Sequence, residues 1–73
     1  QVRHSRRPDA SLILHERDAD GDRFVLVTGA LPEMTVRGWL HGRDGKRPEF
    51  WRTNVPRPAY FVPASELRPM GAR

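Results

Sequence analysis

The larger apolar residues of this chain fall into four short runs separated by charged, glycine- and proline-bearing segments, and no run is long enough to make a helix of several turns. The first, "SLILHE" (Ser11 to Glu16), is brief and bounded by polar residues, so it predicts a strand. "RDADGDR" follows, where Asp20-Gly21 is a tight-turn pair because glycine accepts positive φ and aspartate tolerates it. The second run, "RFVLVTG" (Arg23 to Gly29), is rich in branched and aromatic residues, the composition of a strand covered on both faces. These two runs are expected to pair as a hairpin. "ALPE" then makes a proline turn into "MTVRGWLHG". There Met34, Val36 and Gly38 alternate with Thr35, Arg37 and Trp39, and a bulge at Gly38 resets the pattern.

Residues 42–58 hold three prolines and two glycines, which predicts a long loop with one helical turn at Pro48 to Arg52. "AYFV" (Ala59 to Val62) is a fourth strand stopped by Pro63, and Ser65 is positioned to cap one short turn before Pro69. At the other end, "QVRHSRRPD" predicts a basic extended arm or an edge strand over residues 1–9, with Val2 as its apolar contact. The expectation is one mainly-β domain: the arm, a β domain over 10–70 built on a small antiparallel sheet of about four strands with a long basic loop and a short C-terminal helical turn, and a frayed tail at 71–73.

Composition sharpens this picture. A chain of 73 residues buries one small core, so a second copy or a partner would add useful buried area, and a homodimer is one such arrangement. With no cysteine there is neither disulfide nor thiolate metal site, which fits a reducing, cytoplasmic setting. No apolar run approaches the roughly 18 residues of a membrane span, so no membrane association is expected. The formal charge is +4, and of 13 basic residues all but Lys46 are arginine. Guanidinium forks match phosphate and stack on bases, which points to nucleic acid as partner, although GC-rich coding favours arginine by itself. The candidate phosphate contacts are Arg3, Arg6 and Arg7 on the arm, with Arg43, Lys46, Arg47 and Arg52 on the loop.

Three other constellations carry less chemistry. Asp18, Asp20 and Asp22 alternate like calcium ligands, but from Asp18 the sixth and twelfth positions hold Arg23 and Gly29, where an EF-hand needs glycine and glutamate. A solvated turn is the expectation there. His4, His15 and His41 lie on separate segments without the i, i+4 spacing of helical metal ligands, so no metal and no cofactor is expected. Trp39, mid-strand, is expected in the core. Trp51, among Arg43, Lys46, Arg47 and Arg52, is a candidate to stack on a base. A second reading makes Trp51, Phe50 and the arginines a hot spot for an acidic protein.

The order "DGDRFVLVTGALPEMTVRGWLHGRDGKRPEFW" followed by "RPAYFVPASEL" resembles the C-terminal portion of small phage and bacterial proteins related to the restriction-endonuclease-like, or PD-(D/E)XK, nucleases. The shared parts are an Asp and an apolar strand ending near Gly29, a strand carrying Gly38 and Trp39, a variable loop, and Tyr60 to Pro63 with Leu67, over roughly residues 1 to 70. The resemblance implies a nuclease-like fold in which an Asp and a carboxylate-x-Lys bind a divalent metal. The corresponding segment here is "QVR", where Gln1 supplies no anion and Arg3 stands in place of lysine. The resemblance therefore implies a remnant of phage or mobile-element type that keeps a basic face without its own metal centre. A third reading is a metal-dependent nuclease with ligands among Glu16, Asp20 and Asp22, completed by a second chain.

Overall fold

A computed structural model describes residues 1–70. The tail expected at 71–73 lies outside the described residues. The chain is mainly β, and its strands form two three-stranded sheets. One sheet holds β1 (Val2–Ser5), β3 (Arg23–Ala30) and β4 (Glu33–His41) in the order β1-β3-β4. The other holds β2 (Leu12–Leu14), β5 (Trp51–Arg52) and β6 (Ala59–Val62) in the order β2-β6-β5. Every pairing is antiparallel except β1 with β3, so the arm is an edge strand laid parallel to the longest apolar run. Val2 itself is exposed. The single four-stranded sheet expected from the runs divides in two because the first run does not pair with the second.

That expected hairpin fails at Asp20-Gly21. A two-residue hairpin loop of the common types needs positive φ, and among the described residues only Gly29 and Gly38 have it. Residues 15–22 instead make two successive turns, with the Asp18 N–H donating to His15 O at 3.0 Å and the Asp22 N–H to Ala19 O at 3.2 Å. They carry the chain from one sheet to the other. β2 therefore pairs with β6, Leu12 opposite Val62 and Leu14 opposite Tyr60. The hairpin that does form is β3–β4, closed by the expected turn at Leu31 and Pro32.

Period-two alternation then sets the core. Phe24, Leu26 and Thr28 of β3 face inward, as do Leu12 and Leu14 of β2; Phe24, Leu26, Leu12 and Leu14 meet Leu40, Phe50, Val62 and Leu67 in one cluster, and Thr28 is buried as well. Val25 and Val27 point the other way and are only half-buried, so the strand expected to be covered on both faces is covered on one. The loop 42–58 is more ordered than its composition suggests. It begins with a single helical turn, α1 (Gly42–Gly45), continues through a 3₁₀ turn at Pro48–Phe50 where a helical turn is expected, and passes through β5 before the bends of residues 53–58. Gly45 packs directly on Leu14, Val62 and Leu40, leaving no room for a side chain. The last turn, Ala64–Glu66, is entered from Pro63 rather than capped by Ser65.

The bulge expected at Gly38 is present. Leu26 pairs with Gly38 and Val27 with Val36, so Arg37 is the extra residue. This slip turns Gly38 and Leu40 inward and swings Trp39 onto the outer face with Val36 and Met34. Gly38 takes φ +145° and lets the C-terminal segment come against the strand, where a Cβ would meet Arg68 O at 2.5 Å and Leu67 Cβ at 2.8 Å. Trp39 and Arg68 there exchange both backbone bonds, at 2.9 and 2.8 Å. Gly38→Ala is expected to cost about 2 kcal/mol or more, since it adds both a disfavoured dihedral and a backbone collision. Urea unfolding checks this, and a midpoint equal to that of the wild-type protein would show the approach to be looser than drawn.

Candidate nucleic-acid interface

Basic side chains are candidates for phosphate only if their charge is not already used inside the molecule, and carboxylate pairing sorts them. Arg3 is used. Its Nη2 pairs with Asp18 Oδ1 at 2.9 Å and reaches Gln1 Oε1 at 3.2 Å, and its guanidinium lies 5.1 Å from the Phe24 ring centre. Asp18 in turn accepts the His15 N–H on its other oxygen at 2.8 Å. Burial opposes ionisation of this carboxyl, but the His15 N–H and the Arg3 guanidinium outweigh it and hold its pKa below the ordinary carboxylate value.

Lys46 is used as well. Its ammonium donates to Glu16 O at 2.8 Å and to Asp18 O, and it pairs with Asp20 Oδ1 at 2.9 Å. Three donors meet three acceptors, and the side chain is 16% exposed, so the sole lysine fastens the 15–20 turns to the loop. Arg47 forks onto Glu49, at 3.2 Å and 2.9 Å, stands 3.6 Å from Glu66, and covers the Phe50 ring at 4.9 Å.

The remaining expected contacts are exposed. Arg7 stands 3.5 Å from Asp9, with both side chains about three-quarters exposed, a pairing that solvent weakens. Arg6 and Arg43 have no side-chain hydrogen bond or ion pair among the described residues. Arg52 donates only to the Glu49 and Trp51 carbonyls, both at 3.1 Å, so its charge stays uncompensated. Trp51 is half-buried and tilted against Tyr60 at 4.8 Å, in a shallow depression shared with Pro48 and the carboxylate of Glu16. A carboxylate at that rim is a poor neighbour for a phosphate chain. Phe50, expected in a protein hot spot, is 6% exposed and belongs to the core.

A different cluster, absent from the expected set, gathers on the outer face of β4. Trp39, expected in the core, is half-exposed there, and two guanidiniums lie over its indole: Arg23 at 5.3 Å and Arg68 at 5.5 Å. His41 meets the same indole edge-on at 5.3 Å. Neither arginine has a carboxylate within 4.0 Å among the described residues. Arg68 also lines a neighbouring groove of about 340 Å³ with Arg43 and Arg47, floored by Leu40 and edged by Asp44 and Glu66. One arginine thus joins the indole to the loop. The bulge at Gly38 and the pairing of Arg23 with His41 put Trp39 and Arg23 on one face, which the sequence hints at. Nothing local in the sequence brings Arg68 there.

The carboxylates that a metal-dependent reading requires are dispersed. Asp20 pairs with Lys46, Asp22 accepts from Gln1 Nε2 at 3.3 Å, and Glu16 is exposed. Among the described residues no group of three or more histidines, aspartates or glutamates stands where it could hold a metal ion. Among the same residues no helix is long and apolar enough to cross a membrane. No family model, curated protein or solved structure matches this chain.

The Arg3–Asp18–His15 tie carries a pH signature. A carboxyl whose pKa is depressed in the folded state stabilises the fold at pH values above its ordinary value of 3.8, and that contribution fades as pH falls through the folded-state value. Asp18→Asn is expected to cost about 1–2 kcal/mol near neutrality, with the gap to wild type shrinking in acid. Urea midpoints of both proteins from about pH 6 to about pH 2 measure this. A gap that stays constant across the range would show that the charge of Asp18 contributes nothing.

Proposed function

We propose that this domain binds nucleic acid through the arginines gathered around Trp39, in a non-catalytic role. The observation that carries the reading is the pair of guanidiniums, Arg23 and Arg68, held over one half-exposed indole with no carboxylate within 4.0 Å among the described residues. An arginine resting on an aromatic face keeps its N–H edges directed to solvent and loses little further freedom on meeting a phosphate. Arg43 adds a further guanidinium across the groove it shares with Arg68, whose lining holds three arginines against the two carboxylates of Asp44 and Glu66. The overall charge of +4 adds long-range attraction of the same sign.

The resemblance to restriction-endonuclease-like proteins supports the same choice of partner. The glutamine at position 1 and the arginine at position 3 support the remnant character, since neither replaces its counterpart in a metal centre. On this reading the internal pairings of Arg3, Lys46 and Arg47 belong to the fold, and the phosphate contacts fall to Arg23, Arg43 and Arg68. The absence of cysteine favours a cytoplasmic setting.

Three phosphate contacts give weak, salt-sensitive binding, with a dissociation constant on the order of 10⁻⁴ to 10⁻⁶ M and a logarithmic salt slope of about −2 to −3. Arg23→Ala and Arg68→Ala are each expected to weaken binding several-fold and to reduce that slope by about one, while Arg52→Ala leaves the slope within error. Fluorescence anisotropy with duplex and single-stranded oligonucleotides at two salt concentrations, with and without magnesium, checks this together with cleavage. Binding that survives the double variant Arg23→Ala, Arg68→Ala unchanged would move the interface elsewhere. Magnesium-dependent cutting would return the domain to the nucleases.

A further inference from the structure

Both sheets end in a strand with one side unpaired, and the two unpaired sides flank the same groove. β1 bonds only to β3 and β2 only to β6, and the space between them, about 610 Å³, is lined by Val2, His4, Ser11, Ile13, Leu26 and Phe61. Its floor is apolar. Ile13 is 39% exposed and Val2 67%.

The backbone of β1 shows what could fill it. The Val25 N–H donates to Gln1 O at 2.8 Å, and in a parallel ladder alternate residues direct their N–H and C=O toward the same neighbour. Gln1, Arg3 and Ser5 therefore face β3, whereas the N–H and C=O groups of Val2 and His4 face the groove. Neither residue's backbone takes part in a turn or loop hydrogen bond among the described residues. A row of alternating donors and acceptors at strand spacing is complementary to the main chain of another extended polypeptide, and a sugar-phosphate chain has no such alternation.

The geometry points to β-strand addition at this seam: an extended segment of a partner protein pairs with the free edge of β1 and lays its apolar side chains on Ile13, Phe61 and Val2. The charges around the seam select among such segments. Arg7 lines it, Arg6 stands exposed just beyond β1, and Asp9, 3.5 Å from Arg7 in a pairing that solvent weakens, is the one carboxylate in its lining. Arg3, which also lines it, is already matched by Asp18. The occupant is therefore a strand that alternates apolar with acidic residues, over about the four residues of β1. This site shares no residue with the Arg23–Trp39–Arg68 cluster, so either stands if the other falls.

The test uses an N-acetylated nine-residue peptide alternating glutamate with valine, titrated into isotopically labelled protein. The expected result is chemical-shift change and slowed amide exchange at His4 and Ile13, with the cross-peaks of Trp39 and Arg68 unmoved. Two further peptides, methylated at every valine amide or at every glutamate amide, separate strand pairing from adhesion to an apolar patch. At least one of them is expected to bind about tenfold more weakly. His4→Pro removes an outward N–H at an edge position that tolerates proline and, with the side chain, the 2.7 Å contact of Nε2 with Gly29 O, so His4→Ala, which loses that contact alone, is its reference: relative to His4→Ala, peptide affinity falls by a similar factor while oligonucleotide binding is unchanged. Equal binding of all three peptides, no response at β1 with about millimolar peptide, or a response confined to the Arg23–Trp39–Arg68 face would each overturn the proposal.

Discussion

The reciprocal pair of backbone hydrogen bonds between Trp39 and Arg68 is the constraint on which most of this molecule turns. It joins the edge of β4 that faces away from β3 to the segment that follows the last strand of the other sheet, so it ties the two sheets together. It also brings Leu67 against the core and Arg68 against the indole. The approach is possible only because position 38 has no side chain and accepts positive φ. One glycine in a bulge thereby decides how the core is closed and which cations meet on the surface.

Formal charge is a poor guide to where this protein presents its cations. Lys46, Arg3 and Arg47 belong to the basic segments of the sequence, yet each lies within salt-bridge distance of a carboxylate and two of them also cover an aromatic ring of the core. Their energetic role is to hold turns and loop ends that a core of this size leaves loose. What distinguishes Arg23 and Arg68 is the reverse arrangement, an aromatic support with no carboxylate within 4.0 Å among the described residues. Pairing in space, rather than density along the chain, separates structural cations from available ones.

The open seam has a related origin. Six short strands in 73 residues can surround a core of eight buried side chains, but they do not close into a barrel, and β1 and β2 are left with one edge each. Such edges invite pairing with other chains unless they are short, charged or covered. Here the edges are short and one is flanked by Arg6 and Arg7, which limits indiscriminate association while leaving an apolar floor between them.

Most strands were legible in the sequence, because a strand's tendency is written in neighbouring residues: the apolar runs at 11–16, 23–29 and 59–62, the stop at Pro63, the bulge at Gly38 and the turn at Pro32, though not the two-residue β5 nor which face of 23–29 turns inward. So was the mainly-β class. Partnership between strands was not. The first run resembles half of a hairpin, but Gly21 lacks positive φ, Lys46 and Arg3 tie down the 15–20 turns, and the run pairs with β6 instead. The candidate site divides in the same way. Arg43 and the guanidinium-rich composition could be read directly, whereas the side of the sheet taken by Trp39 follows from one slipped register, and its meeting with Arg68 from a contact nearly thirty residues distant along the chain. Local periodicity is a property of neighbouring residues, but strand partners and charge pairs are chosen by competition among distant groups, and that competition is resolved only when the chain is packed.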